Sequence, residues 1–480
     1  MKLKLLFASL ALMCLSIACS DHPTLTYIDE PEQPADSGYV SIDLRTNEQT
    51  SRGLRAHDPL QSVRHITFLF FHETESRLLF SRTMEPTSSL TFELKIPKQN
   101  YRLAVVLNAG DIYTKVFPEL LSPTASILAT TEGFLDSYLL MTNGGAPAPA
   151  DADRAVTMAN DQGLVTLSSA QIVNKKTELT DENRLKVRVE PCLARVLVVG
   201  KPTVQGGTYE SDSTYYAIDV VPLRIYPMRH LSKLANGANE LAGDGSLPKD
   251  RYALSWAEAS LTAGATYSDV YKYVKASHFA SAVVAAKMQE RKENYNLNSP
   301  AIYAKEVSVA PTYYYTAYVP RVVLRAVYVP HGIAGVNPKE GWVEFQGRKM
   351  SLAQFKGFVD DPTTADAALA ESIRKAQTDG ALVFTSGFSS HGINFYHQSH
   401  NYYAIPIRHF DDDKAPNQNS YGRFGLIRNN EYLLTVKSIT GPGSSVIPAV
   451  SATEAVEKDG YASAAITVNQ TTGHQQEVDL

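Results

Sequence analysis

The sequence predicts a mainly β protein: two tandem antiparallel β-sandwich domains with a few short helices. Three observations predict it. Short runs rich in β-branched and aromatic residues recur along the chain, among them HITFLFF (65–71), LTFELKI, YRLAVVLN and VVLRAVYVP. Turn residues separate these runs, and helical periodicity is scarce. The chain has 480 residues, 44% hydrophobic and 20% charged, an ordinary globular composition long enough for two or three domains. The formal net charge is −5, with no Lys/Arg block or basic aromatic stripe, so nucleic acid is not an expected partner.

The N-terminus reads as a targeting segment. Lys2 and Lys4 precede an apolar run from Leu5 to Ile17, which is too short to span a bilayer and has the form of a secretory signal. It ends in Leu15-Ser16-Ile17-Ala18-Cys19, and small residues ahead of a cysteine resemble the bacterial lipobox. That resemblance implies a signal peptide over 1–18 and acylation of Cys19. The alternative is an ordinary signal peptide with an incidental cysteine. Of the 3 cysteines, Cys14 lies in the signal and only Cys192 remains beside Cys19, so no internal disulfide is expected. Cys192 sits in a strand-like run and reads as a small buried hydrophobe. No later stretch has the length and apolarity of a transmembrane helix.

Ser20 to Ser37 is rich in Pro and acid and reads as a disordered tether. A short strand follows, with Val40, Ile42 and Leu44 alternating with Ser41 and Asp43. The next segment is a polar loop carrying Arg45, Arg52 and Arg55, the kind of exposed stretch that proteases nick. Strand signals then dominate from Val63, with a weaker helical stretch near 118–140. In LKVRVEPCLARVLVVG the apolar phase flips at Pro191, which predicts a bulge or kink. The first domain is placed at 56–212 and the second at 213–480.

The second half repeats this character. YYAIDVVPLRIYP (215–227), GWVEF and ALVF read as strands. Ser268 and Asp269 can cap a helix continuing through Val270, Val274, Val284 and Met288. Asp361-Pro362 opens a clearer helix with Leu369 and Ile373 on one face and Gly380 as its stop. The closing stretch, Tyr461 to Leu480, alternates strictly. Ala462, Ala464, Ile466 and Val468 share one parity, as do Val478 and Leu480. It reads as one long strand of roughly 60 Å, about three times an ordinary strand. The competing reading is a frayed tail.

Catalytic and metal motifs are absent: no HExxH, CxxC, P-loop, GxGxxG or GxSxG. No enzyme activity, cofactor or metal is expected. His391, His397, His400 and His409 could bring two or three imidazoles onto a metal, but they lack a matching Cys or a fixed carboxylate, and a loop cluster is the better reading. Asp411 to Asp413 read as a solvated turn without EF-hand spacing. Tyr313 to Tyr315 and Tyr318 fit either a sugar-stacking platform or alternating tyrosines on a half-buried strand, with the strand favoured.

Several segments together resemble the type V fimbrial subunits of Bacteroidia, above all the major subunit of the short fimbria. The principal match is Gly422-Arg423-Phe424-Gly425-Leu426-Ile427-Arg428-Asn429-Asn430 with Tyr432 and LTVKSI. LAVVLN, VEPCLARVLV, VVLRAVYVP, the closing EVDL and the YVSIDL-to-arginine junction support it. The resemblance covers most of the chain and implies transthyretin-like, Greek-key sandwiches. It further implies a lipoprotein precursor held at the outer membrane. An Arg-specific protease would remove a propeptide, here 19–55, after Arg55, with Arg52 and then Arg45 as alternatives. Loss of the strand bearing Val40, Ile42 and Leu44 would open a groove. The C-terminal strand of another copy, about 461–480, would fill it with Ile466, Val468, Val478 and Leu480. The expected partners are copies of itself, accessory tip and anchor subunits and the protease. The expected place is a cell-surface fimbria serving adhesion and biofilm formation. One departure is the polar run Gln470, Thr472, His474 and Gln476 on the inward parity of that last strand. A minor or anchor subunit, and a glycan-binding surface lipoprotein, are the competing readings.

Overall fold

The structure is a computed structural model. It describes residues 36–46, 63–75, 77–86, 89–108, 157–161, 163–228, 255–280, 284–290, 301–409, 423–456, 465–470 and 474–479. Cys19, Arg52, Arg55, the 118–140 stretch, Asp411 to Asp413 and Leu480 lie outside these residues. Among the described residues no helix is long and apolar enough to cross a membrane.

The first half forms an eight-stranded sheet from β1 (Ser37–Thr46), β2 (Ile66–His72), β3 (Leu78–Met84), β4 (Thr91–Pro97), β5 (Tyr101–Leu107), β6 (Met158–Asn160), β7 (Val165–Leu167) and β8 (Leu185–Pro191). Their order is β3-β2-β5-β6-β8-β1-β4, with β7 also on β5. The sheet folds over a shared core, so that Phe68 of β2 meets Phe92 of β4 edge-on at 5.5 Å. The runs HITFLFF and LAVVL lack clean alternation because β2 and β5 are covered on both faces. Phe68, Phe70, Leu103 and Val105 face the inner core. Leu69, Phe71, Ala104 and Val106 pack instead with Cys192, Ile225 and Met228 from the following segment.

That segment starts β9 (Leu193–Val199), β10 (Thr203–Val204), β11 (Gly207–Asp219) and β12 (Val221–Pro222). Helices α1 (Trp256–Thr262) and α2 (Tyr267–Val270) lead into β13 (Tyr271–Lys272). β14 (Ala286–Lys287), β15 (Ile302–Lys305), β16 (Val307–Ser308) and β17 (Arg321–Pro330) follow. The chain closes with β22 (His400–Pro406), β23 (Gly425–Leu426), β24 (Asn430–Ile439), β25 (Ala465–Gln470) and β26 (His474–Asp479). One sheet runs β15-β9-β24-β25-β26 and another β14-β11-β17-β22. Val196, Val198, Leu434 and Val436 from the first pack against Tyr216, Ile218, Val322 and Leu324 from the second, which makes a sandwich.

Between β17 and β22 the chain makes an excursion. β18 (Gly341–Phe345), β19 (Arg348–Ser351), β20 (Phe388–Ser390) and β21 (Ile393–His397) form a separate sheet, covered by α3 (Leu352–Asp360) and α4 (Ala367–Thr378). The helix expected after Pro362 is α4. Asp366 caps it, accepting from the Leu369 amide at 2.9 Å, and Leu369 and Ile373 are buried. ALVF, read as a strand, is not one. The helix expected from Ser268 ends at Val270, because Tyr271 enters the β13 pairing with Pro222.

The mainly β reading holds, and most pairings are antiparallel. β1–β8, β9–β24, β10–β24 and β24–β26 are parallel. None of these pairs is joined by a short turn, so no hairpin imposes antiparallel pairing. The phase flip at Pro191 marks more than a bulge. β8 pairs with β1 and β6, whereas β9 pairs with β15 and β24, so the chain changes sheets between Pro191 and Leu193. The division expected at 212/213 falls inside β11, whose strand continues through both positions.

Candidate assembly site

β1 is an interior strand laid between β4 and β8, although it is the first of the described strands. It pairs antiparallel with β4 from Ser37↔Pro97 to Asp43↔Thr91, and parallel with β8 from Ile42↔Leu185 to Thr46↔Val189. Period-2 alternation sends Val40, Ile42 and Leu44 into the core, at 0%, 0% and 3% exposure. There they join Phe92, Leu94, Ile96, Val187 and Val189. The opposite face is polar. Asp43 accepts from Thr91 Oγ1 at 3.2 Å and pairs with Arg45, and Arg184 Nε donates to Ser41 Oγ at 3.3 Å.

The entry to β1 is tight. Tyr39 and Val173 exchange backbone bonds of 2.7 and 2.9 Å. A Cβ on Gly38 would come within 2.5 Å of the Val173 carbonyl oxygen. Gly38→Val is therefore expected to push β1 off this contact and lower stability by about 1–3 kcal/mol, the usual overpacking cost. Thermal melts of the full-length variant and wild type check this.

The candidate arginines differ in setting. Arg45 is exposed as a side chain, but its backbone is in the β1–β8 ladder opposite Arg188. Thr46 ends the strand, and Arg52 and Arg55 lie beyond it in the chain.

At the other end the final stretch is not one strand. β25 and β26 pair antiparallel, with Ala465 opposite Glu477 and Thr467 opposite Gln475. β26 runs parallel along β24, from Tyr432↔His474 to Ser438↔Asp479, and β25 pairs with Asn430 and Glu431. Alternation was a sound signal for strand but could not report the break. In sequence, Thr471-Thr472-Gly473 falls between the two strands, and glycine is a common strand breaker. Ile466 and Val468 thus lie on β25 and Val478 on β26.

The motif ahead of β24 is structural. Arg428 and Glu306 are buried at 1% and 2% exposure. Arg428 Nε donates to Glu306 at 2.9 Å, and its terminal nitrogens donate to the Pro227 and Tyr226 carbonyls at 3.1 and 2.7 Å. Asn429 takes a positive φ of 59°. Asn430 Nδ2 donates to the Ile427 and Arg428 carbonyls. The Tyr432 hydroxyl accepts from the Ile427 amide at 2.8 Å and bonds His409 Nδ1 at 2.8 Å. The motif ties the chain ahead of β24 to Glu306, between β15 and β16, and to the segment after β12.

The remaining candidates separate. His391 pairs with Asp379 at 2.6 Å, His409 with Tyr432, and His397 and His400 flank Gln398-Ser399. Among the described residues no group of three or more His, Cys, Asp or Glu is placed to hold a metal. The tyrosine run is not on a strand. Tyr313 ends a 3-10 turn, Tyr314 is buried, and Tyr313, Tyr315 and Tyr318 cluster half-buried beside Tyr267. The turn opens at Pro311, which the strand reading left out of account.

A family model described as "Major fimbrial subunit protein type IV, Fimbrillin, C-terminal" matches residues 394–477, a stretch that runs from within β21 into β26 and includes Arg428. This stretch is similar to the C-terminal region of that family. The fimbrial-subunit resemblance of the sequence is borne out on that stretch, and the match is to a structural subunit family, not an enzyme. Among solved structures the chain is similar to a fimbrilin, FimA, from Porphyromonas gingivalis W83. The identity is 13%, with 92% of this chain and 96% of that chain covered and a TM-score of 0.37. It is also similar to the tip fimbrial protein Mfa3 of Porphyromonas gingivalis, at 10% identity, 84% and 95% coverage and a TM-score of 0.35. A fimbrial assembly protein from Parabacteroides distasonis ATCC 8503 matches at 12% identity, 61% and 85% coverage and a TM-score of 0.29. No curated protein matches the chain.

Proposed function

We propose that this fimbrial subunit polymerises by strand exchange, with β1 as the strand that leaves and the C-terminal segment of another copy as the strand that enters. The observation that carries the reading is the place of β1: interior to its sheet, first of the described strands, and followed by an arginine-bearing segment. A cut after Arg55, or after Arg52, leaves β1 held only by its ladder and its buried side chains. Arg45 is the least suited of the three, because a protease would first have to unzip it from β8.

Loss of β1 would leave a slot between β4 and β8 with two unpaired ladders and three apolar seats. Filling those seats is worth about 1.5–3 kcal/mol per buried side chain before ordering costs. The seats are spaced i, i+2, i+4, and Ala464, Ile466 and Val468 repeat that spacing. Main-chain bonds would supply strength and the alternating side chains register. Val478 and Leu480 would seat further along the groove. The donor must first leave β24, with which β25 and β26 pair in the single chain. Such a contact is head-to-tail and propagates as a filament. The precursor would reach the outer membrane through a lipid on Cys19, which is discarded with the propeptide 19–55. Tip and anchor subunits would bound the fibre, and adhesion and biofilm formation would follow from the fibre at the cell surface.

Removing residues 465–480 tests the entering strand. The truncated chain is expected to stay a folded, cooperatively melting monomer and to lose the SDS-resistant ladder that unheated wild-type polymer gives. A ladder that persists in the truncated chain would sink the role of this segment.

A further inference from the structure

A second feature lies on the sheet β14-β11-β17-β22, away from β1 and β24. Arg325 of β17 stands between Tyr215 of β11 and Tyr402 of β22 in the cross-strand register. Its guanidinium lies over the Tyr215 ring at 5.3 Å and the Phe279 ring at 5.1 Å. Ring faces satisfy part of a cation's demand but accept none of its in-plane hydrogen bonds well. Arg325 Nε is buried without a hydrogen-bond partner. Among the described residues no carboxylate pairs with this guanidinium.

One histidine shares its face of the sheet, and a second lies close to the first. His400 lies opposite Val327, two residues along β17 from Arg325 and so on the same face of the sheet. His397 precedes it across Gln398 and Ser399, both in the left-handed region at φ 52° and 56°. His397 Nδ1 is buried and unpartnered. Burial, then the charges of Arg325 and His397, push His400 down to about 4. The nearest charges in register do not answer this cluster. Lys287, opposite Tyr215, is held by Asp212 at 2.8 Å, and exposed Glu210, opposite Val327, accepts from Ser213 at 3.2 Å.

We propose that Arg325, His397 and His400 form a binding site for a single oxyanion, such as a sulfate, phosphate or carboxylate group. The anion supplies what the cluster lacks: acceptors for a stacked planar fork and for imidazole N–H groups, and a counter-charge in a partly desolvated place. A metal cation is disfavoured by the guanidinium itself.

The test titrates the full chain with sodium sulfate, sodium acetate and glucose 6-sulfate at matched ionic strength, read by calorimetry and by thermal shift, with sodium chloride as control. Wild type is expected to bind at least one of the three saturably. Arg325→Met, which keeps the stem's packing, is expected to bind at least tenfold more weakly, and His400→Gln is expected to weaken binding in the same direction. Tighter Arg325-dependent binding of glucose 6-sulfate assigns the group to a sugar, and equal binding assigns it to the free anion; either supports the site. If Arg325→Met does not fold, Arg325→Lys takes its place, since it retains the charge and loses the planar fork. No saturable binding to wild type, or equal binding by wild type and the Arg325 variant, overturns the site.

Discussion

Cysteines placed at Ser41 and Glu93 are expected to abolish polymerisation when oxidised and to restore it when reduced. The two residues face each other directly across the antiparallel β1–β4 pair. Such partners have Cα atoms about 4.5–5.5 Å apart, inside the range a disulfide accepts. Ser41 lies on the polar face of β1 and Glu93 opposite it on β4, so Val40, Ile42 and Leu44 keep their seats in the core. The bond leaves cleavage possible and blocks only departure of the strand. Oxidised, protease-treated protein should run as monomer with β1 still attached, and reductant should return the SDS-resistant ladder. The buried Cys192 gives a competing thiol little access. Ladders of equal extent with and without reductant would mean that β1 need not leave.

The largest expected loss of stability follows Arg428→Met. This side chain carries a buried ion pair with Glu306 and donates to the Pro227 and Tyr226 carbonyls. Removing one partner of such a pair typically costs about 3–5 kcal/mol, because the other charge stays buried. Total stability is roughly 5–15 kcal/mol for a domain, so the loss is a large share of it. At about 2–4 °C per kcal/mol for a domain of this size, the melting temperature should fall on the order of 10 °C. Replacing Glu306 by Gln as well should recover part of the loss, since the orphaned carboxylate is then neutral. A melting temperature unchanged in Arg428→Met would show that the pair does not hold β24 in place.

The two ends of the chain illustrate what alternation can and cannot report. Val40, Ile42 and Leu44 were legible as one buried face because a single period-2 signal crosses a short strand. The pairing of β1 with β4 and β8 was not, since nothing local encodes a partner more than a hundred positions away, as Leu185 is from Ile42. Tyr461 to Leu480 read as one strand because both halves alternate, and the break between β25 and β26 leaves little mark beyond Gly473. β2 and β5 look irregular in sequence because their second face is buried too, against Cys192, Ile225 and Met228. The sheet change after Pro191 showed as a phase flip, yet a flip is equally the mark of a bulge within one sheet. The excursion of β18 to β21 went unseen as a unit. Its strands are short, and its core is built from residues as far apart as Val343 and Phe395.

The Arg428 staple was visible as a motif but not as chemistry. The sequence holds Arg428, Glu306 and the Tyr226-Pro227 carbonyls in three distant stretches, and only the fold brings them together. The same holds for Arg325 and the histidines, which the sequence offered as a loop cluster containing His391 and His409 as well. The fold sends those two to Asp379 and Tyr432 and leaves His400 near Arg325 with His397 close by it.

Release of β1 by cleavage is tested most directly by the N-terminus of the subunit in assembled fibres, read by mass spectrometry of the heat-dissociated polymer. The strand-exchange reading expects a subunit beginning at Ala56, after Arg55, or at Gly53, after Arg52, with Val40, Ile42 and Leu44 absent from the fibre. A subunit in assembled fibres that still begins at Cys19 and retains β1 would contradict it.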